Sequence, residues 1–384
     1  MRRHAWTQAL AAVLLAATGF SAEVVIEPIA RISEAGKILE CLGVVCSADG
    51  KGLLVGVAES DAKQGLVAYQ VYEVGVGGKT TRLFRTQLPK AKEKREFLPG
   101  ELQGMAANTH GELFLAGQFV AGFSTIRKVA NTGEVLREVP YPDEVTARAE
   151  SPRILSMAMT ERDELLTVSG ETILYGRDLT RKWQLPQRYH TASTAVYDRK
   201  RQQFIVACRG GQLDKFGMPA DDKPSVLVLV VDSNGKVTKE AMFAGMTPHL
   251  AVSGSEYLLL RDTAQGGDGR FILTRLAGDL TEIESHALAD MPAPMLPSVY
   301  PLRLCARSNG SIVAIGNAVA TLFVREWDAK GNIVRKKDPL WFAPDNGMWL
   351  DMEGDEVRIV SGEVVPTDEE SENGLVRVDR IKFK

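Results

Sequence analysis

A short unit recurs seven times along the chain, and this repetition restricts the fold more than any single motif does. Each copy opens with a brief strand of small and apolar residues, passes a polar turn, and continues into a run of apolar β-formers. Val44-Val45-Cys46 leads through Asp49-Gly50 into Leu53-Leu54-Val55-Gly56, and Gly104-Met105-Ala106-Ala107 leads through His110-Gly111 into Leu113-Phe114-Leu115-Ala116-Gly117. The same events begin again at Ile154, Thr194, Leu250, Leu302 and Trp349. Asp-Gly, His-Gly, Ser-Gly and Asn-Gly stand at several of these turns because tight hairpins need residues that accept positive φ at low cost.

The second half of each unit repeats the logic. Ile126 to Val129 turns at Asn131-Thr132-Gly133, Val228 to Val231 at Asn234-Gly235, and Phe323 to Trp327 at Asp328-Ala329-Lys330-Gly331. Four short strands per unit follow. The six steps from Leu53 to Val357 cover 304 residues (357 minus 53), a mean spacing of about 51 that matches the longer blades of a propeller. The apolar runs are four to six residues long, β-branched, and bounded by Gly or Asp turns, which disfavours helices. The expected fold is therefore all-β: a seven-bladed β-propeller of four-stranded antiparallel blades, with six or eight blades as alternatives. One such sheet cannot bury both faces alone, and radial stacking covers them. Val24-Val25-Ile26 is expected to pair with the strands around Leu375 to Ile381 and latch the ring shut, removing open edges. Inner strands rich in Ala, Gly, Ser and Met suit the crowded region near the axis.

On these residues the sequence resembles secreted bacterial β-propellers built of loose repeats with an Asp-Gly turn before an apolar strand. The hallmarks of sharper classes are missing. Trp327-Asp328 is a single copy, against a WD40 array, and Gly77-Gly78, Gly210-Gly211 and Gly266-Gly267 do not share one blade position, as Kelch repeats would. No repeated tryptophan-docking motif of the quinoprotein dehydrogenase kind is present.

The first residues read differently from the rest. Basic Met1-Arg2-Arg3-His4, the apolar run Ala9 to Ala17 and small residues at Gly19-Phe20-Ser21-Ala22 form a secretory signal peptide, with cleavage expected after Ser21 and Ala22 as the near alternative. The expected division is a leader over 1–21 and one propeller domain over 22–384, in the periplasm or outside the cell. The apolar run is too short to cross a bilayer, and no later segment is long and apolar enough to do so. Loss of Arg2 and Arg3 takes the formal charge from −3 to −5 (−3 minus 2), so the mature chain has no general attraction for nucleic acid or anionic membrane. A monomer is expected.

Export places all four cysteines, Cys41, Cys46, Cys208 and Cys305, where disulfides persist. Four cysteines allow three pairings; Cys41 to Cys46 with Cys208 to Cys305 is the favoured one because the first pair closes a small loop. The competing reading is free thiols, since Cys46, Cys208 and Cys305 each sit in an apolar strand. None has zinc-site spacing.

Fold does not fix function in a propeller. Ligands usually meet the axial mouth, at positions just ahead of each inner strand: Glu101 and Gln103, Arg153, Tyr189 and His190, His249, Tyr300 and Arg303, and Trp349 with Asp351. Arg153 and Arg303 would supply forked donors, and Tyr300 and Trp349 stacking surfaces. The plainer reading is that loops are polar anyway and that Trp349 packs between blades. His190 and His249 suggest a metal ligand or base only weakly, since no fixed spacing links them. His110 is read into a turn and His286 into a linker ahead of the Pro-rich 291–301. There is no Gly-x-Ser-x-Gly elbow. Asp221-Asp222 and Glu369-Glu370 read as solubilising, and 368–373 resembles a calcium loop in composition but not in ligand order, so no cofactor is expected. Two function classes follow. The first is a non-catalytic binding or scaffolding module that presents its axial face to a protein, peptide or glycan. The second is a lactonase, lyase or glycosidase using acids or histidines at the same mouth.

Overall fold

The computed structural model describes residues 24–46, 52–61, 65–87, 102–120, 123–143, 154–169, 171–189, 192–210, 225–263, 271–288, 303–318, 321–341, 349–353, 356–365 and 373–383. The expected leader lies outside them. Strand β1 (Val24–Ile32) is followed by blade 1, made of β2 (Ile38–Cys46), β3 (Leu53–Asp61), β4 (Gly65–Val74) and β5 (Thr80–Gln87). Blade 2 holds β6 (Leu102–Ala107), β7 (Leu113–Val120), β8 (Phe123–Val129) and β9 (Val135–Pro140). Blade 3 holds β10 (Ser156–Met159), β11 (Leu165–Ser169), β12 (Glu171–Tyr175) and β13 (Arg181–Gln184), with a single 3-10 turn, Gln187–Tyr189, after it. Blade 4 is β14 (Ala192–Asp198), β15 (Gln203–Gly210), β16 (Ser225–Val231) and β17 (Val237–Ala244), and blade 5 is β18 (Met246–Ser253), β19 (Glu256–Asp262), β20 (Phe271–Leu276) and β21 (Glu282–Ala287). Blade 6 is β22 (Arg303–Ala306), β23 (Ile312–Ala318), β24 (Thr321–Trp327) and β25 (Ile333–Trp341); blade 7 takes β26 (Trp349–Glu353), β27 (Glu356–Val365) and β28 (Asn373–Phe383) from the end of the chain and β1 from its start.

All seven repeats of the sequence thus become antiparallel four-stranded blades. The expected latch is present as well: β1 pairs with β28 from Val24↔Phe383 to Ile32↔Val376, interrupted by an irregularity between Pro28 and Ala30. A parallel bridge at Ile38↔Gly374 joins β2 to β28 and fuses blades 7 and 1 into one sheet. Around the axis the first strands of successive blades touch, and β26 meets β2 to complete the circle.

The core is divided into seven apolar layers among the described residues, one at each blade–blade interface. Successive residues of one strand feed different layers. Phe204, Val206 and Cys208 of β15 face blade 3, whereas Ile205 and Ala207 face blade 5. A strand buried on both faces reads as a continuous apolar run, which is why the second strand of each unit stands out in the sequence. Near the axis small residues admit the neighbour: a Cβ on Gly43 would lie 3.3 Å from the Cβ of Met105 in the next inner strand. The Ser156 hydroxyl bonds both the carbonyl and the N–H of Ala195 across the junction of blades 3 and 4.

The turns between third and fourth strands share one geometry. In six blades five residues (75–79, 130–134, 176–180, 232–236, 277–281, 328–332) make the same pair of backbone hydrogen bonds, with the fourth residue in the left-handed region. That residue plugs against the outer strand of the preceding blade. In four blades the plug is glycine, set against Ile29, Phe84, Trp183 and His286; a Cβ on Gly235 would stand 2.6 Å from the Trp183 ring. In blades 3 and 5 the plug is leucine. Leu179 and Leu280 accept φ of 60° and 69° and are buried at the layers of blades 2–3 and 4–5. Burying a leucine is worth about 1.5–3 kcal/mol, which exceeds the roughly 1–2 kcal/mol cost of the left-handed backbone. Gly235→Ala is expected to lower unfolding free energy by about 1–3 kcal/mol, since it adds both overpacking and strain. A urea titration followed by tryptophan fluorescence measures this, and an unchanged midpoint would contradict the plug.

The connector from β1 to β2 is tied to blade 1 by charge. Glu34 accepts hydrogen bonds from Arg82 Nη1 at 2.7 Å and the Tyr72 hydroxyl at 3.0 Å. Lys37 lies 3.5 Å from Glu59, a buried carboxylate that also receives Arg85 at 2.6 and 3.0 Å and Gln70 at 2.9 Å. Arg85, above all, holds the Glu59 carboxyl below its ordinary range.

The favoured disulfide pairing is not formed. Cys41 and Cys208 are free, buried thiols, each pushed up to about 12 by burial. Cys41 and Cys46 lie on one extended strand, and Cys208 and Cys305 stand in blades 4 and 6 with blade 5 between them. Disulfides require Cα atoms within about 7 Å, which neither arrangement provides.

Candidate functional site

Antiparallel blades give the ring two unlike axial ends. Turns from first to second and from third to fourth strands emerge at one end; connections from second to third strands and from each blade to the next emerge at the other. At the first end the connections are compact. The longest, 47–52, has six residues, and the six shared turns have five each. At the second end they range from one residue (245) to fifteen (288–302), with further long ones at 88–101, 141–155 and 211–224.

Side chains at the compact end tie neighbouring blades together or brace a single blade. Asp163 of blade 3 accepts the N–H of Thr109 at 3.2 Å and its hydroxyl at 3.1 Å, and its other oxygen lies 2.8 Å from His110 Nδ1, all in the turn of blade 2. Asp198 of blade 4 accepts the Tyr257 hydroxyl of blade 5 at 2.7 Å and Arg201 at 2.9 Å, and Arg201 reaches on to the Ser255 carbonyl. Burial alone would raise the Asp198 carboxyl, but the Tyr257 and Arg201 hydrogen bonds hold it below its ordinary value. Burial, followed by the bond to Asp198, pushes the Tyr257 hydroxyl up to about 12. In blade 6 the fully buried Glu326 takes Ser311 and Arg307 on one oxygen (2.6 and 2.7 Å) and Arg335 on the other (2.6 Å). These groups pair buried acids with hydrogen-bond donors in the wall of the ring. Nothing in the sequence marked them, because a buried Asp and an exposed turn Asp look alike until the next blade is in place.

Of the residues expected at the mouth, four have described backbone on inner strands. His249 is half-buried on inner strand β18, opposite Leu260. Arg303 sits on inner strand β22 opposite Ile315, and Trp349 and Asp351 on β26 opposite Val360 and Arg358; their side chains are outside the described residues. The backbone of these four is thereby brought onto three successive inner strands. Arg153, His190 and Tyr300 lie outside the described residues, as do Glu101, 221–222 and 366–372.

Two readings need correction. Tyr189 does not face the axis: its ring is buried in the layer between blades 3 and 4, and its hydroxyl donates to Glu240 on outer strand β17. The 3-10 turn carries it outward, because an apolar ring gains more from the inter-blade layer than from a wet mouth. His286 lies on outer strand β21 and not in a linker, with Nε2 3.0 Å from Glu284. Among the described residues no group of three or more His, Cys, Asp or Glu is placed to hold a metal ion, and no helix is long and apolar enough to cross a membrane.

No protein-family model and no curated protein sequence matches the chain. Solved structures do match it along nearly its whole length. The Dos1 propeller superposes with a TM-score of 0.55 at 9% identity, over 94% of this chain and 96% of that one. BBS1N, solved in complex with ARL6DN, gives 0.53 at 10% identity over 94% and 95%. KlHsv2 with loop 6CD replaced by a Gly-Ser linker gives 0.52 at 6% identity over 90% and 100%. At such identities the likeness concerns the fold alone, and with seven four-stranded blades closed by the first strand of the chain, it makes this protein a seven-bladed β-propeller.

Proposed function

We infer that this protein is an exported, non-catalytic binding or scaffolding module that engages a protein, peptide or glycan through the axial end bearing the variable connections. One observation carries the reading: connections of very unequal length are gathered at one end, while the opposite end is built of turns of two to six residues, six of them of one geometry and several bonded to the neighbouring blade. In repeat proteins, insertions that map to one face commonly form the binding face, since loops there vary without disturbing the scaffold. Among the structural neighbours, BBS1N is a propeller solved with a protein bound to it, which favours a protein partner. The basic start and apolar run of 1–21 support export, and a mildly acidic mature chain suits neither nucleic acid nor anionic membrane. On this reading the contacting residues are Arg153, His190, His249, Tyr300, Arg303, Trp349 and Asp351, and the backbone of His249, Arg303, Trp349 and Asp351 on three successive inner strands supports it.

Binding of the full chain to peptide and glycan arrays tests this. Replacing Arg153, Arg303 and Trp349 together by alanine is expected to weaken any array signal by about ten-fold or more, as the loss of anchoring arginine and tryptophan does at interfaces. Replacing the exposed Arg199 and Lys200 at the compact end is expected to change nothing. Equal loss from both sets, or from neither, would sink the assignment of the face.

A further inference from the structure

We propose that the chain carries a redox gate on its own folding: a Cys41–Cys46 disulfide and the inner strand of blade 1 exclude one another. The register supplies the distance. Cys41 lies opposite Val57 and Cys46 opposite Leu53, so the two cysteines are separated by four residue steps of β3, about 13 Å at the usual rise of a strand. A disulfide needs Cα atoms about 4.4–6.8 Å apart. The bond therefore closes only if β2 is broken between its two ends, and that stretch lies against β3 through Gly43↔Gly56, Val44↔Val55 and Val45↔Leu54. Cys41 itself belongs to the apolar layer that joins blades 7 and 1, the seam at which the ring closes. An oxidised chain would lose the inner strand at the very junction on which closure depends.

In the unfolded chain nothing opposes the bond. The pair has the shortest separation of any two cysteines present, and short loops close most readily. The Cys41 thiolate attacks a low-molecular-weight disulfide and releases one thiolate. Cys46 then attacks the mixed disulfide and releases the second, so two protons leave the protein and two electrons pass to the oxidant. Once the ring is closed Cys41 is 4% exposed, which bars that first attack. Folding and oxidation are thus competitors, and whichever comes first blocks the other.

The test uses the full chain with Cys208→Ser and Cys305→Ser, so that only the pair in question remains. It is denatured, treated with oxidised glutathione or with dithiothreitol, mapped by peptide mass for the Cys41–Cys46 bond, and diluted to refold. Recovery of native tryptophan fluorescence is expected to be at least about ten-fold lower for the bonded chain, because the strand cannot absorb the mismatch. Dithiothreitol should restore it, and a further Cys46→Ser should abolish the difference. Should the serine background itself fold poorly, the same comparison is made in the otherwise unaltered chain with and without Cys46→Ser. Native recovery with the bond intact overturns the proposal, as does a denatured chain in which oxidised glutathione leaves Cys41 and Cys46 unlinked.

Discussion

A chain lacking residues 24–32 is expected to lose its cooperative unfolding transition altogether. These residues form β1, which supplies the fourth strand of blade 7 through its ladder with β28. Val24 is buried in the layer between blades 6 and 7, and Ala30 and Ile32 in the layer between blades 7 and 1, so deletion opens two of the seven interfaces at once. Burial of the valine and isoleucine contributes about 1.5–3 kcal/mol each, and each ladder hydrogen bond about 0.5–1.5 kcal/mol. Together these approach the whole stability of an ordinary domain, about 5–15 kcal/mol. The missing strand also leaves β28 as a bare edge, open to pairing with other chains. Urea unfolding by tryptophan fluorescence, with light scattering to detect association, decides the matter. A truncated chain that melts at the parental midpoint would show that the ring does not depend on its latch. Addition of a synthetic peptide of residues 24–32 is expected to recover part of the transition, a result that simple loss of chain length does not predict.

The second large effect is expected at Glu326. Its carboxylate is buried and shared among Ser311, Arg307 and Arg335. Burial by itself would raise this carboxyl, yet the hydrogen bonds from Ser311, Arg335 and Arg307 hold it below the ordinary value. Glu326→Ala removes the buried acceptor that two guanidinium groups and the Ser311 hydroxyl share, a loss of about 3–5 kcal/mol by analogy with other broken buried pairs. Glu326→Gln keeps the shape and part of the hydrogen bonding and should cost less. The pH dependence follows from the depressed value. The contribution of Glu326 is complete above the unfolded carboxyl value, near 4.3, and is lost as pH falls through the lower folded value. The parent should therefore lose stability toward pH 3 more steeply than Glu326→Ala does. Parallel slopes from pH 7 to pH 3 would show that the carboxylate is not the group that matters.

The sequence carried more of the scaffold than of the site. Seven paired runs, from Val44–Val55 to Trp349–Val360, fell on the first and second strands of seven blades, and the pairing of Val24-Val25-Ile26 with the chain's end was legible before any coordinates. Strands buried on both faces and turns that need positive φ leave marks in consecutive residues. The site leaves no such marks. Tyr189 precedes an inner strand just as a mouth residue would, and only the packing of blade 3 on blade 4 turns it toward Glu240. Cys208 and Cys305 sat in equally apolar strands, and only the ring places a blade between them.

By itself, then, the sequence determined the four-strand unit, the latch and, only by its count of repeats, seven blades over the alternatives of six or eight, because each depends on residues within about one repeat of each other or on the first and last strands. Tertiary structure alone decided which acids became inter-blade ties, why Gly235 and Leu179 fill equivalent places, and why Cys41 stays a thiol. Those outcomes are set by what the neighbouring blade or strand presents across an interface. A contact between residues some fifty positions apart has no local signature, since the free energy that selects it exists only once both sides are folded.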